Sequence, residues 1–304
     1  MRPTAHHKIP FCLSLIVVCL SSFLAVNPSS ASPQGVSSQT NILYITIDDL
    51  NDWIGCLDGH PQVKTPHIDR LAERGLLFTN AHCVVPACSG SRAANWSGLL
   101  PIHNGVYGNG QKIERTMPDA ELLPLDLKKQ GYITMGTGKL LHGKSQRMFD
   151  EYGPDYDKWM PILPDERTIS EKELKDSSPY VRHEIPRLGI TMPLNQMPRD
   201  RQRGSRTIDS FDWGPIDRPD EEWTDTESAD WAVEKLNQKH DQPFMLAVGF
   251  YRPHQPLWVP KRFHNMYPPD SVVLPELPTD DLDDLSPTAR ELARYALTSG
   301  AHST

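Results

Sequence analysis

One recurring pairing constrains this chain more than any other feature: an amphipathic helical stretch followed by a short apolar run that ends in polar side chains. The run "NILYITIDDL" (41–50), which follows a Ser-, Gln- and Gly-rich linker, is apolar and β-branched and closes on Asp48 and Asp49. It reads as a buried strand with two acids at its carboxyl end. In "TPHIDRLAERGLLFTNAHC" (65–83), Thr65 is an N-cap, Ile68, Leu71 and Leu76 keep helical spacing, Gly75 is a stop, and a short strand then leads towards Cys88. "ELLPLDLKKQGYITMGTGKLLHGK" (121–144) predicts a helix to Gln130, a stop at Gly131 and a strand from Tyr132 to Gly136, followed by Lys139 and His142. "ESADWAVEKLNQKHDQPFMLAVGFYRPH" (227–254) predicts a helix, then the strand "FMLAVGF", then Arg252 and His254. Such alternation predicts an α/β fold with a mostly parallel sheet covered by helices on both faces.

The rest of the chain fits around this repeat. Its 304 residues, 38% hydrophobic and 23% charged, suffice for one large domain, and a formal charge of −8 argues against general nucleic-acid binding. At the N-terminus, Arg2 and Lys8 precede the apolar run "FCLSLIVVCLSSFLAV", and small residues surround Ala31. This reads as a signal peptide over 1–31, then a linker over 32–40. The run is shorter than the roughly 20 apolar residues of a bilayer span, so the expectation is an exported chain, periplasmic or secreted, without stable membrane insertion. Residues 148–220, rich in Pro, Asp and Arg with little periodicity, read as a long surface excursion.

In a parallel sheet the carboxyl ends of the strands share one rim, where ligands bind. That rim would gather Asp48, Asp49, Cys88, Arg92, Lys139, His142 and His254. Adjacent carboxylates suit a hard divalent cation such as calcium or magnesium. Cys12 and Cys19 fall in the signal; of the remaining three, Cys56 and Cys83 are a candidate disulfide pair that leaves Cys88 unpaired.

These residues resemble a family. "ACSGSRAANWSGLLP" (87–101) is similar to the signature of type I, formylglycine-dependent sulfatases, in which a Cys or Ser opens a helix with an Arg four residues on. The resemblance extends to "LYITIDDLNDWIGC", "TGKLLHGK" and "GFYRPHQPLWVPKRFHNMYP", and it is strongest with the iduronate-2-sulfatase branch and its bacterial members. It implies an alkaline-phosphatase-like fold for a catalytic domain over 41–304. It implies that a formylglycine-generating enzyme oxidises Cys88 to formylglycine, and that one calcium ion is held by Asp48, Asp49 and residue 88. Arg92 and Lys139 would hold the aldehyde hydrate and offset sulfate charge, His142 would assist collapse of the enzyme-sulfate, and His254 would give a proton to the departing sugar oxygen. The implied activity is hydrolysis of a sulfate ester on a carbohydrate, with phosphate-ester hydrolysis or an inactive anion-binding remnant as alternatives. In the signature, Gly90 stands where the family has Pro or Ala. No segment matches the family's later metal ligands, so the expectation is a C-terminally truncated sulfatase domain.

Overall fold

The computed structural model describes residues 39–117, 122–143, 146–175, 182–197, 208, 211–275 and 279–294. The expected signal and nearly all of the linker lie outside these residues. The chain divides between Gln39 and Thr40 into two units, and every element named here belongs to the second, Thr40–Thr304. No helix among the described residues is long and apolar enough to cross a membrane.

Three apolar runs become the long strands β1 (Ile42–Ile47), β2 (Ile133–Gly138) and β7 (Phe244–Phe250), and the two-residue β3 (Glu151–Tyr152) forms the edge opposite β1. Their order is β1-β7-β2-β3, with every pair parallel. β7 runs through the middle with Phe244 to Gly249 all buried, as expected of a strand covered on both faces. Its side chains alternate accordingly. Met245 and Ala247 join a core with Trp96, Leu140 and Phe149 on one face. Phe244, Leu246 and Val248 join Met135 and Ala232 on the other. The helix Cys88–Ser97 supplies Ala93 and Trp96 to the first core, and the helix Thr224–Asn237 supplies Ala232 to the second.

Four expectations need correction. The short strand after Gly75 does not form: Leu76 and Phe78 are 78% and 72% exposed, and no strand among the described residues pairs with them. The stretch 148–220 is more than a surface excursion. It contributes β3, the antiparallel hairpin of β4 (His183–Ile185) and β5 (Ile190–Met192), and β6 (Trp213–Ile216), which pairs in parallel with β8 (Leu257–Pro260). These elements enclose a second core of Ile162, Ile185, Met192, Ile216, Trp223 and Trp258. Strands of three or four residues are too short to show a period, which is why the sequence reads as irregular. The sheet is not covered throughout: Leu43 and Ile45 in β1 pair with Leu246 and Val248 yet are each 48% exposed, since the helix over β7 does not extend across them. Finally, Cys56, Cys83 and Cys88 are all free thiols; the Cys83 sulfur instead lies against the Val85 carbonyl and the Ser91 hydroxyl.

Candidate active site

The carboxyl ends of β1, β7 and β2 lie side by side, and each delivers part of one constellation. The Asp48 amide continues the ladder by donating to the Phe250 carbonyl at 3.0 Å, so its buried carboxylate is fixed to the end of β7. Asp49 then turns the chain with φ 56°, a left-handed conformation that Asp tolerates, and its side chain emerges 54% exposed.

Cys88 is the first residue of the helix Cys88–Ser97. Asn109 accepts from the Ser89 amide at 2.9 Å and the Ser89 hydroxyl donates to the Gln111 carbonyl at 2.6 Å, pinning this helix start. At the other end the buried Trp96 indole donates to the Leu140 carbonyl at 2.7 Å, and Gly98, at φ 68°, ends the helix. One turn beyond Cys88, Arg92 lies on the same face. Its guanidinium donates to Asp48 Oδ1 at 2.9 Å and to the Lys139 carbonyl.

Lys139 follows β2, and two glycines make room for its turn. Gly138 has φ 71°, and a Cβ on Gly249 would stand 2.1 Å from the Lys139 carbonyl oxygen. The buried Lys139 ammonium pairs with Asp48 Oδ2 and lies 3.9 Å from the Cys88 sulfur, which is itself 4.0 Å from Asp48 Oδ2. Behind it, Tyr156 and Tyr251 are stacked at 5.4 Å, with their ring centres 5.5 and 4.6 Å from the ammonium. Cation–π attraction of this kind holds an ammonium without neutralising it.

β7 leads into the loop that carries His254. The His254 Nε2 is 3.6 Å from Asp49 Oδ2 and 4.0 Å from Asp48 Oδ2. Its Nδ1 lies 2.7 Å from the Tyr251 hydroxyl and 2.8 Å from the Gln255 carbonyl oxygen. The loop is clamped from below. Asp225 accepts the Tyr251 and Arg252 amides at 2.7 and 2.9 Å, and Arg252 donates to carbonyls of His254, Pro256 and Lys158. Burial pushes the Arg252 guanidinium down to about 10 although Asp225 opposes it.

Electrostatics follow from this packing. Burial acts to raise the Asp48 carboxyl, but Arg92 and Lys139 outweigh it and hold it below the ordinary aspartate value. Burial raises the Cys88 thiol; Lys139 opposes this and the two aspartates reinforce it. A protonated thiol is a weak nucleophile. His142 is lowered, first by burial and then by Lys139, so it stands near the site as a neutral imidazole.

The structure therefore brings together Asp48, Asp49, Cys88, Arg92, Lys139 and His254, with His142 beside them within the field of Lys139 and Asp48. Asp48, Asp49, Cys88 and His254 each offer a ligand atom within 4.8 Å of the others. Two carboxylates at one strand end, one buried and one open to solvent, fit a hard divalent cation. Alongside lies a cleft of about 610 Å³ lined by residues that include Asp48, Asp49, Cys88 and Asn95. Sequence reasoning missed Tyr156, Tyr251 and Asp225. Tyr251 and Asp225 had a weak signal in their position at the end of β7 and the start of the preceding helix. Tyr156, inside the stretch without periodicity, had none.

Comparison with known proteins agrees with this arrangement. Residues 40–295 match the sulfatase family model. A sulfatase of Formosa agariphila is 34% identical over 259 residues, covering 83% of this chain and 46% of that protein. The iduronate 2-sulfatase of Homo sapiens is 28% identical over 276 residues, covering 89% of this chain and 45% of that protein. The chain thus spans less than half the length of these curated relatives. The phosphonate monoester hydrolase of Silicibacter pomeroyi, 22% identical, superposes with a TM-score of 0.55 over 80% of this chain and 47% of that one, which shows a common fold. The strand order, the signature helix and the family match lead to one conclusion: this chain has the alkaline-phosphatase-like α/β fold and belongs to the sulfatase family.

Proposed function

We propose that this protein hydrolyses sulfate monoesters of carbohydrates, using formylglycine formed from Cys88 by a formylglycine-generating enzyme and one calcium ion held by Asp48 and Asp49 with residue 88. The observation that carries this reading is the position of Cys88: it opens a pinned helix and faces Lys139 and Asp48, with Arg92 one turn behind. A sulfate monoester is shielded by its own anionic oxygens, so its hydrolysis needs positive charge and donors around the sulfur and a proton for the leaving alcohol.

The oxidised and hydrated residue 88 supplies a geminal diol, one hydroxyl to take the sulfuryl group and the other to expel sulfate afterwards. Bound calcium would supply charge to polarise the sulfate oxygens and favour the alkoxide. The chain's own residues do the rest. Arg92 keeps Asp48 ionised and fixed, and Lys139, held by Asp48 and the tyrosine pair, places its ammonium beside residue 88. Proton handling falls to the rim histidines, His142 and His254. The apolar N-terminal run supports export to the periplasm or outside the cell, where sulfated polysaccharides are met.

Phosphate-ester hydrolysis by a Cys88 thiolate is the competing reading, and the raised thiol speaks against it. Paired assays with an aryl sulfate and an aryl phosphate, on wild type and Cys88→Ala, test the choice. The expected result is sulfate release by wild type alone; phosphate release in its place would overturn the proposal.

A further inference from the structure

One cation beside the site has no part in the chemistry proposed so far. Lys112 follows the loop 107–111, and that loop is tied to the start of the signature helix: the Ser89 amide donates to Asn109 Oδ1 at 2.9 Å and the Ser89 hydroxyl to the Gln111 carbonyl at 2.6 Å. The loop is also closed on itself. Gln111 Oε1 accepts the Tyr107 and Gly108 amides at 2.7 and 3.1 Å, and the Gln111 amide donates to the Gly108 carbonyl at 3.1 Å. Beyond it, the Lys112 carbonyl accepts the Arg115 amide at 3.0 Å, and Ile113 is buried in the core that holds Trp96 and Leu140. The backbone of Lys112 is therefore fixed relative to residue 88.

Its side chain reaches the residue after His142. Lys112 Nζ lies 3.8 Å from the point where a Cβ on Gly143 would stand; apart from the chain neighbours of Gly143, no other atom of the described residues comes within 4 Å of that point. The space over Gly143 is thus open, with an ammonium at its edge. That ammonium pushes the His142 imidazole towards its neutral form, whereas the charges that act on the Cys88 thiol are Lys139, Asp48, Asp49 and Arg92. Lys112 accordingly stands outside the group that surrounds the ester sulfate. It is exposed, and among the described residues its ammonium has no ion-pair or hydrogen-bond partner. Glu114, two residues on, faces Arg147 at 3.9 Å instead. An exposed lysine is ordinarily just solvated; this one is set apart by its fixed backbone and by the open space it borders, next to a histidine of the site.

We infer that Lys112 is a specificity residue, which binds a second anionic group, a carboxylate or a further sulfate, on the sugar whose ester sulfate faces residue 88. The inference rests on the proposed hydrolase reading and adds a substrate class to it, sugars that carry two anionic groups. Such a substrate has each charge met, one by Arg92 and Lys139 and the other by Lys112, through charge-assisted hydrogen bonds. A sugar with one anionic group leaves Lys112 in water and gains nothing from it.

The test uses the full chain, produced in a host that matures a control sulfatase, and steady-state kinetics on four kinds of probe. These are a neutral aryl sulfate, pyranosides carrying a single sulfate at C2, C3 or C4, and the same sugars with either a carboxylate or a second sulfate at C6. Wild type is expected to prefer one of the two doubly anionic sets. Lys112→Ala is expected to raise KM for that set about tenfold more than for the singly sulfated sugars, with kcat little changed, and Lys112→Arg to restore the preference. The set that loses its advantage tells carboxylate from sulfate. Each ratio comes from one preparation, so a variant that folds poorly does not blur it. A wild type without preference for either second anion, or a Lys112→Ala loss equal on all probes, overturns the inference and leaves the hydrolase reading standing. If wild type cleaves no sulfate ester, that reading falls, and calorimetry on Cys88→Ala with the same sugars decides for Lys112. Tighter binding of a doubly anionic sugar that Lys112→Ala removes supports its role, and equal binding of all the sugars overturns it.

Discussion

The two sides of the active-site rim are built to opposite rules. On one side Asp48, Arg92 and Lys139 are buried, with side chains 6%, 8% and 3% exposed, and each charge is met by an opposite one. On the other side Asp49 and His254 are 54% and 26% exposed, with His254 Nε2 3.6 Å from Asp49 Oδ2 and 4.0 Å from Asp48 Oδ2. The buried side is rigid: two cations lock one carboxylate between β1, β2 and the signature helix, and Gly138 and Gly249 allow the approach. The open side has fewer constraints and unspent ligand capacity. Fixed charge on one side and available donors on the other suit a site that must hold an ion and an anionic group together.

Removing Asp48 is the harshest way to break this contrast. Asp48→Asn leaves two buried cations without a counter-charge and is expected to cost about 3–5 kcal/mol in stability, read from denaturant unfolding. Gly249→Ala attacks the same side sterically, since its Cβ would meet the Lys139 carbonyl at 2.1 Å. An expected loss of about 1–3 kcal/mol follows from forcing β2 and β7 apart, with no change in charge.

Acid should act on the buried side through Asp48. The folded pKa of Asp48 is depressed relative to its unfolded value, the Arg92 and Lys139 charges outweighing burial. Its contribution to stability is therefore fully present above the ordinary value of 3.8 and is lost as pH falls through the lower folded value. Thermal unfolding of wild type against Asp48→Asn across that range should show the variant losing less.

Asp49→Asn makes the mildest change and sharpens the comparison most. An exposed carboxylate contributes little, so stability should stay within about 0.5 kcal/mol of wild type. Ion affinity, measured by calorimetry, should fall at least about tenfold. A large stability loss in Asp49→Asn would show that the open side is structural after all.

How much of this was legible in the sequence follows the same division. The three long strands and the helix before β7 announced themselves because apolar runs of six or seven residues bounded by caps have few other uses. The convergence of Asp48, Lys139 and His254 followed from parallel topology, which places the carboxyl strand ends on one rim, whereas Cys88 reaches that rim on the start of the signature helix with no strand before it. What could not be read is tertiary. Leu76 to Phe78 have strand composition but no partner strand among the described residues, and β4, β5, β6 and β8 are too short to show a period. Tyr156 behind Lys139 comes from that same stretch. The exposure of Leu43 and Ile45 depends on where a helix stops, which no local pattern encodes.

The central claim is that Cys88 serves as the precursor of the nucleophile rather than as a thiol. Peptide mass spectrometry of the Cys88 segment, from a host that matures a control sulfatase, tests it most directly. The account predicts conversion of the thiol to the aldehyde with Gly90 in the signature. An unmodified thiol in that host, with the control fully converted, would contradict it.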